Sequence, residues 1–208
     1  MEKEFNERDS LQLITEMIAQ AKSDLQKGSG NDILLWGYSV AAIALVNFAL
    51  IQMYGASNGW IYAVWALCIP LLGARAVASR NRLAARPAVG RTGSMISWVW
   101  NAASISFGVV VLMFYSVAIG LGASELFVLI VPVIMTITGL ALFATGKICR
   151  FAPCVYGSFA FWGGAVGCAA LTAALHRHDF NLLVLAVCMV AGFVVPGHLL
   201  NRHVGKGV

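Results

Sequence analysis

The chain has 208 residues, of which 60% are hydrophobic and 11% are charged, and its mean hydropathy is +0.81. Soluble domains contain about a quarter charged residues, so this composition indicates a membrane protein whose first partner is the lipid bilayer. The net charge of +5 comes from basic residues in short segments beside apolar runs. Because no basic stripe lies on a soluble fold, we expect no nucleic-acid partner.

Residues 1–32 form a polar N-terminal region with seven of the nine carboxylates. Within residues 9–27, apolar side chains recur at spacings of three and four, which predicts an amphipathic helix on the cytoplasmic side. This helix either lies in the headgroup plane beside the first span or serves as a docking surface for a protein partner. The first apolar run begins only near Ile33, so we expect no cleaved signal peptide.

Residues 33–200 form the predicted transmembrane domain, and residues 201–208 form a short basic tail. The fold class is all-α, with six transmembrane helices arranged as three antiparallel hairpins, because the turns between paired apolar runs are short. The six predicted spans are Ile33–Tyr54, Trp60–Val77, Met95–Leu121, Leu126–Thr145, Pro153–Leu175 and Phe180–Leu200.

The segment 75–91 contains five arginines and no carboxylate. Basic loops beside spans stay on the cytoplasmic side. Of the 14 basic residues, only Arg177 falls on the opposite side of the predicted topology. The pattern therefore predicts a multi-pass membrane protein with both termini in the cytoplasm. The 75–91 loop, like residues 9–27, is a candidate surface for a protein partner.

Prolines and glycines mark features within the spans. Pro70, Pro132 and Pro196 each interrupt the second helix of a hairpin and predict kinks. Gly163 and Gly167 form a small-xxx-small pair, which favours close helix packing. The neighbour is either another helix of the same chain or a second copy in a homo-oligomer.

The middle of the predicted spans contains no Asp or Glu. This argues against a proton-driven transporter, which normally needs an ionisable relay inside the membrane. Uncharged polar side chains in the spans either bond neighbouring helices together or offer a path to a neutral solute. The candidate path residues are Asn47, Gln52, Asn101, Ser104, Ser106, Thr136 and Thr138.

His176, His178 and Asp179 are the candidate metal ligands, because imidazoles and a carboxylate occur together in one short turn. Asp179 alone also suits the positively charged start of a helix. The chain lacks the short motifs of nucleotide-binding, zinc-peptidase and serine-hydrolase sites. We therefore expect no cofactor and no enzymatic activity.

The stretch "LQLITEMIAQAK", followed by "LLWGY", resembles the start of a family of small multi-spanning bacterial inner-membrane proteins without an assigned activity. The resemblance covers about the first fifth of the chain, and it implies a membrane location but no substrate.

Two hypotheses about function follow. The first is an accessory or regulatory membrane protein that acts through partner contacts, because the N-terminal helix and the basic loops are its sizeable polar surfaces. The second is a small channel or facilitator for a neutral or weakly charged solute, with the proline-containing helices lining the path.

Overall fold

A computed structural model describes residues 29–56, 58–70, 73, 91–122 and 124–205. Within these residues all regular secondary structure is helical. Five helices are long and apolar enough to cross a membrane, as in a multi-pass membrane protein. They are Gly30–Tyr54, Gly93–Leu121, Leu126–Ile148, Ala152–Leu175 and Phe180–Arg202.

Three predictions extend beyond the described residues. The predicted second span begins as a shorter apolar helix, Gly59–Pro70, and its remainder lies largely outside the described part of the chain. The predicted amphipathic helix at 9–27 lies wholly outside it, as does nearly all of the 75–91 loop. The count of six spans therefore stays a prediction.

The helices follow one another in a simple order. Helix α1 covers Ser29–Tyr54, and a 3-10 helix follows at Gly59–Leu67. Helix α2 covers Arg91–Leu121, and a second 3-10 helix at Ser124–Leu129 leads into α3, Ile130–Ile148. Helix α4 covers Ala152–Leu175. The last apolar run contains α5 at Phe180–Met189, a π-helix at Val190–Val194 and α6 at Val195–Gly205.

Residues with a positive φ angle end several of these helices. Gly55 (φ 81°) follows α1, and Gly122 (φ 65°) follows α2. Arg150 and His176 adopt the same left-handed conformation after α3 and α4, with φ angles of 51° and 52°. This conformation lets the last carbonyls of a helix find donors, and the His176 N–H bonds to the Thr172 carbonyl at 3.0 Å. The turns after α3 and α4 therefore stay short.

The core lies where α3, α4 and the last apolar run meet α1. Phe161 of α4 is fully buried beside Met135 and Leu142 of α3. Its ring meets Phe193 of the π-helix edge to face, with 5.8 Å between ring centroids. A smaller cluster joins Ile51, Ile61 and Leu182. Helix α2 packs mainly along α3 and the adjoining 3-10 helix, so it lies at the edge of the bundle.

Each predicted kink residue lies next to a departure from α geometry. The 3-10 helix Gly59–Leu67 precedes Pro70, the 3-10 helix Ser124–Leu129 precedes Pro132, and the π-helix precedes Pro196. Proline lacks an N–H and clashes with the carbonyl four residues before it. A change of hydrogen-bond register accommodates that clash, as where the Val195 N–H bonds to the Val190 carbonyl, five residues back.

Candidate functional site

A polar cluster joins the end of α1 to the start of α5. Gln52 Nε2 donates to Asp179 Oδ2 at 2.5 Å. Arg177 donates to both carboxylate oxygens, with Nε 3.2 Å from Oδ1 and Nη2 2.5 Å from Oδ2. Its guanidinium also lies over the Phe180 ring, 4.7 Å from the centroid. The cluster therefore fastens α1 to the last apolar run at one end of the bundle, called the Asp179 end below.

Asp179 is kept ionised by these neighbours. Burial of the Asp179 carboxyl raises its pKa, but hydrogen bonds from Arg177 and Gln52, with the positive charge of Arg177, lower it more. The net pKa is below the ordinary value. Only 8% of the Asp179 side chain is exposed, against 51% of Arg177. The charged carboxylate is thus stabilised by hydrogen bonds from the Gln52 amide and from the partly hydrated guanidinium of Arg177.

The three candidate metal ligands His176, His178 and Asp179 have different surroundings in the fold. His176 and His178 are exposed, whereas the Asp179 carboxylate accepts hydrogen bonds from Arg177 and Gln52. Among the described residues, no group of three His, Cys, Asp or Glu side chains is placed to hold a metal ion. Sequence reasoning missed the role of Arg177, although its place two residues before Asp179 offered a signal.

Asn47 is fully buried in α1 and binds the first 3-10 helix. Its Nδ2 donates to the Ile61 carbonyl at 2.8 Å, and its Oδ1 accepts a hydrogen bond from Trp65 Nε1 at 3.3 Å. A carbonyl inside an apolar bundle is costly when it has no donor. Asn47 therefore satisfies the backbone of the neighbouring helix, which is a structural use of a candidate path residue.

The other candidate path residues lie at separate places. Gln52 belongs to the polar cluster. The hydroxyls of Ser104, Ser106, Thr136 and Thr138 each donate to the carbonyl four residues earlier in their own helix. Asn101 is exposed on α2. The structure brings Gln52 to Asp179 and Asn47 to Trp65. The hypothesis of a channel for a neutral solute stays a prediction.

A second polar contact marks the opposite end of the bundle, called the Asn31 end below. Asn201 Nδ2 donates to Asn31 Oδ1 at 2.9 Å. Nearby, the Tyr38 hydroxyl lies 2.8 Å from His198 Nε2. Asn31 and Gln52 are 21 positions apart in the sequence, which corresponds to about 32 Å of helix at 1.5 Å per residue. This length matches the roughly 30 Å hydrocarbon core of a bilayer, so the two polar contacts fit its two boundaries.

Helix α2 presents an exposed face of small and polar residues, called the α2 polar face below. Ser97, Asn101, Ser104 and Gly108 are spaced by four, three and four residues, so they share an arc of about 60°. All four are exposed, and no heavy atom lies within 4 Å of where a Cβ on Gly108 would be. Buried Ala103 is on the opposite side of the helix.

Asn101 makes this face costly in a bilayer. Its side-chain amide has no hydrogen bond within the described part of the chain, and eight residues of helix separate it from Gly93, the start of the apolar helix. That is about 12 Å, too far for a short amide side chain to reach the headgroups. An amide left in hydrocarbon without a partner is unfavourable. The α2 polar face therefore exposes a polar side chain within the apolar stretch of the helix.

The two predicted packing glycines of α4 face open space within the described part of the chain. A Cβ on Gly163 or Gly167 would meet no heavy atom within 4 Å. Close packing instead involves Gly157, where a Cβ would lie 2.7 Å from the Gly192 Cα, and Gly164, which faces Cys188 and Met135. No described residue packs against Gly163 or Gly167.

No known family model, curated protein or solved structure matches this chain.

Proposed function

We propose that the chain is an accessory or regulatory protein of the bacterial inner membrane that acts by binding another membrane protein. The proposal includes six spans in three antiparallel hairpins, an amphipathic helix at 9–27 and both termini in the cytoplasm. The observation that carries it is the α2 polar face, where the Asn101 side chain lies within an apolar helix and has no hydrogen bond to any described residue. A membrane-spanning helix of a partner supplies the missing hydrogen bond.

The position of α2 at the edge of the bundle supports this proposal. Its apolar window is 11% buried, compared with 56% for the last span, so most of its surface faces away from the chain. Gly108 and the serines of the α2 polar face allow close approach of a second helix. The amide of Asn101 then gives and receives a hydrogen bond in an apolar setting, where such bonds fix the register between helices.

Charge indicates the chemistry of the partner. The arginine-rich segment 75–91 ends where α2 begins, so a helix paired with α2 emerges beside these arginines. Acidic residues next to the partner helix suit this position. A second copy aligned in the same direction would instead bring two arginine-rich segments together, which is unfavourable. The partner is therefore a different protein with a hydrogen-bonding span and an acidic flank.

Photocrosslinking in intact cells tests the proposal. A benzophenone amino acid is placed at Gly108 on the α2 polar face, and the control carries it at Val187, a 68% exposed residue of α5. We expect a discrete protein adduct from position 108 and none from position 187. Absence of an adduct at 108 contradicts the proposed contact. An adduct that contains only a second copy of this chain contradicts the accessory role.

A further inference from the structure

A recess of about 320 Å³ lies on one face of α6 at the Asn31 end, lined by Val195, His198, Leu199 and Arg202. We propose that this recess binds the headgroup and upper acyl chain of an anionic phospholipid. The inference is independent of the proposed partner contact, because the recess and the α2 polar face are on different helices.

The recess spans the depth at which a phospholipid changes from polar to apolar. Arg202 follows Asn201, whose hydrogen bond to Asn31 lies at the predicted boundary of the hydrocarbon. Val195 is seven residues earlier, about 10 Å deeper in the bilayer. Arg202 therefore meets headgroups, while Val195 and Leu199 contact acyl chains.

Arg202 is available to bind a phosphate. It is exposed and has no ion pair within the described residues. A guanidinium can donate two parallel hydrogen bonds to phosphate oxygens. Basic pockets on the cytoplasmic side of spans are suited to anionic lipid headgroups, and the overall charge of +5 favours anionic rather than neutral lipids.

The Tyr38–His198 pair supplies a second donor in either tautomer. If the Tyr38 hydroxyl donates to His198 Nε2, then His198 Nδ1–H remains for a ligand. If Nε2–H donates to the Tyr38 oxygen, then the Tyr38 hydroxyl hydrogen remains. The two groups are 2.8 Å apart and exposed, and His198 lines the recess, so in both cases one free donor lies on His198 or directly beside it.

Close packing of α1 on α6 holds Tyr38 against His198, one of the residues that line the recess. A Cβ on Gly197 would lie 2.8 Å from Leu34 Cγ, so a larger residue would separate the two helices. This approach brings Tyr38 of α1 against His198 of α6, and their rings meet edge to face with centroids 6.1 Å apart. The donors are therefore positioned before a lipid arrives.

Native mass spectrometry of the detergent-purified full chain tests the site, with phosphatidylglycerol and phosphatidylcholine of equal chain length. We expect preferential retention of phosphatidylglycerol, and Arg202→Gln should weaken it by about tenfold. Lys147→Gln removes an exposed charge at the end of α3 and should change retention less than about twofold. The double variant Tyr38→Phe, His198→Phe removes both side-chain donors and keeps Arg202, and it should still weaken phosphatidylglycerol retention several-fold.

Equal retention of both lipids overturns the proposal. So does an equal loss in Arg202→Gln and Lys147→Gln, because that result shows only diffuse attraction. Displacement of phosphatidylglycerol by inorganic phosphate also contradicts it, since the apolar part of the recess should hold the lipid. Circular dichroism of each variant verifies its fold, and if Arg202→Gln is unfolded, unchanged retention in the double variant overturns the proposal.

Discussion

At the scale of single residues, the two ends of the bundle are fastened differently. A charged cluster around Asp179 fastens α1 to α5, whereas neutral amides of Asn31 and Asn201 join α1 to α6. In the Asp179 cluster, Gln52 and Asp179 are separated by 127 residues along the chain. Neither pairing is visible from sequence, because no local pattern specifies which helices become neighbours.

Asp179→Asn should lower the free energy of unfolding by about 1–2 kcal/mol at neutral pH. This is less than the 3–5 kcal/mol for breaking a fully buried ion pair, because Arg177 is about half exposed and partly screened by solvent. Thermal unfolding in detergent measures the effect. A variant as stable as the parent chain would show that the cluster contributes no stability.

The contribution of Asp179 should also depend on pH. Its pKa is lowered in the folded chain, so the folded state releases its proton more readily than the unfolded state. Its stabilisation is then complete above the unfolded pKa of about 3.9 and is lost as pH falls through the folded pKa. The parent chain and Asp179→Asn should therefore converge in stability at acid pH, and a constant difference down to that range would contradict this assignment.

Asn47 and Asn101 form a matched pair for testing amides in the spans. Asn47→Leu removes the hydrogen bond to the Ile61 carbonyl and the acceptor of Trp65 Nε1, so we expect a loss of about 1–2 kcal/mol in unfolding free energy. Asn101→Leu breaks no hydrogen bond within the described chain and should leave stability unchanged. It should nevertheless reduce the crosslinked adduct from position 108. Equal stability losses in the two variants would contradict this division.

At the scale of helices, sequence predicted the elements better than their contacts. The last predicted span, Phe180–Leu200, differs by two residues from the apolar helix Phe180–Arg202. This agreement is close because the length of an apolar run can be counted from the sequence. The 3-10 and π segments before the prolines were not predicted, since proline reports a disrupted bond but not the register that replaces it. Helix rotation likewise depends on tertiary packing, so the small-xxx-small pattern did not reveal that Gly157 packs while Gly163 is exposed.

Gly157→Val and Gly163→Val separate these two roles within one helix. A Cβ at position 157 would lie 2.7 Å from the Gly192 backbone, which cannot move without shifting the π-helix. We expect Gly157→Val to cost about 1–3 kcal/mol of unfolding free energy through overpacking. Gly163→Val meets open space and should cost much less in the isolated chain. Thermal unfolding of the two variants side by side tests this, and the reverse order would contradict the packing.

At the scale of the whole molecule, five long apolar helices support a multi-pass membrane protein. Composition alone predicted this class, because hydropathy and length are sufficient for it. The α2 polar face was only partly visible in sequence. Asn101 and Ser104 stood out as polar residues in a span, but the exposure of their face required the fold. The proposed partner contact therefore moved from the N-terminal helix and the basic loops to a surface within the bilayer.

Cysteine labelling of intact cells tests the predicted threading most directly. Single cysteines replace Asn58, Arg82 or His178 in a chain with Cys149→Ser, which removes an exposed native thiol. With six spans and cytoplasmic termini, a membrane-impermeant maleimide should label positions 58 and 178 at once and position 82 only after permeabilisation. Labelling of positions 58 and 82 together would show that the second apolar helix does not cross. Labelling of position 82 alone would show that the chain has the reverse orientation.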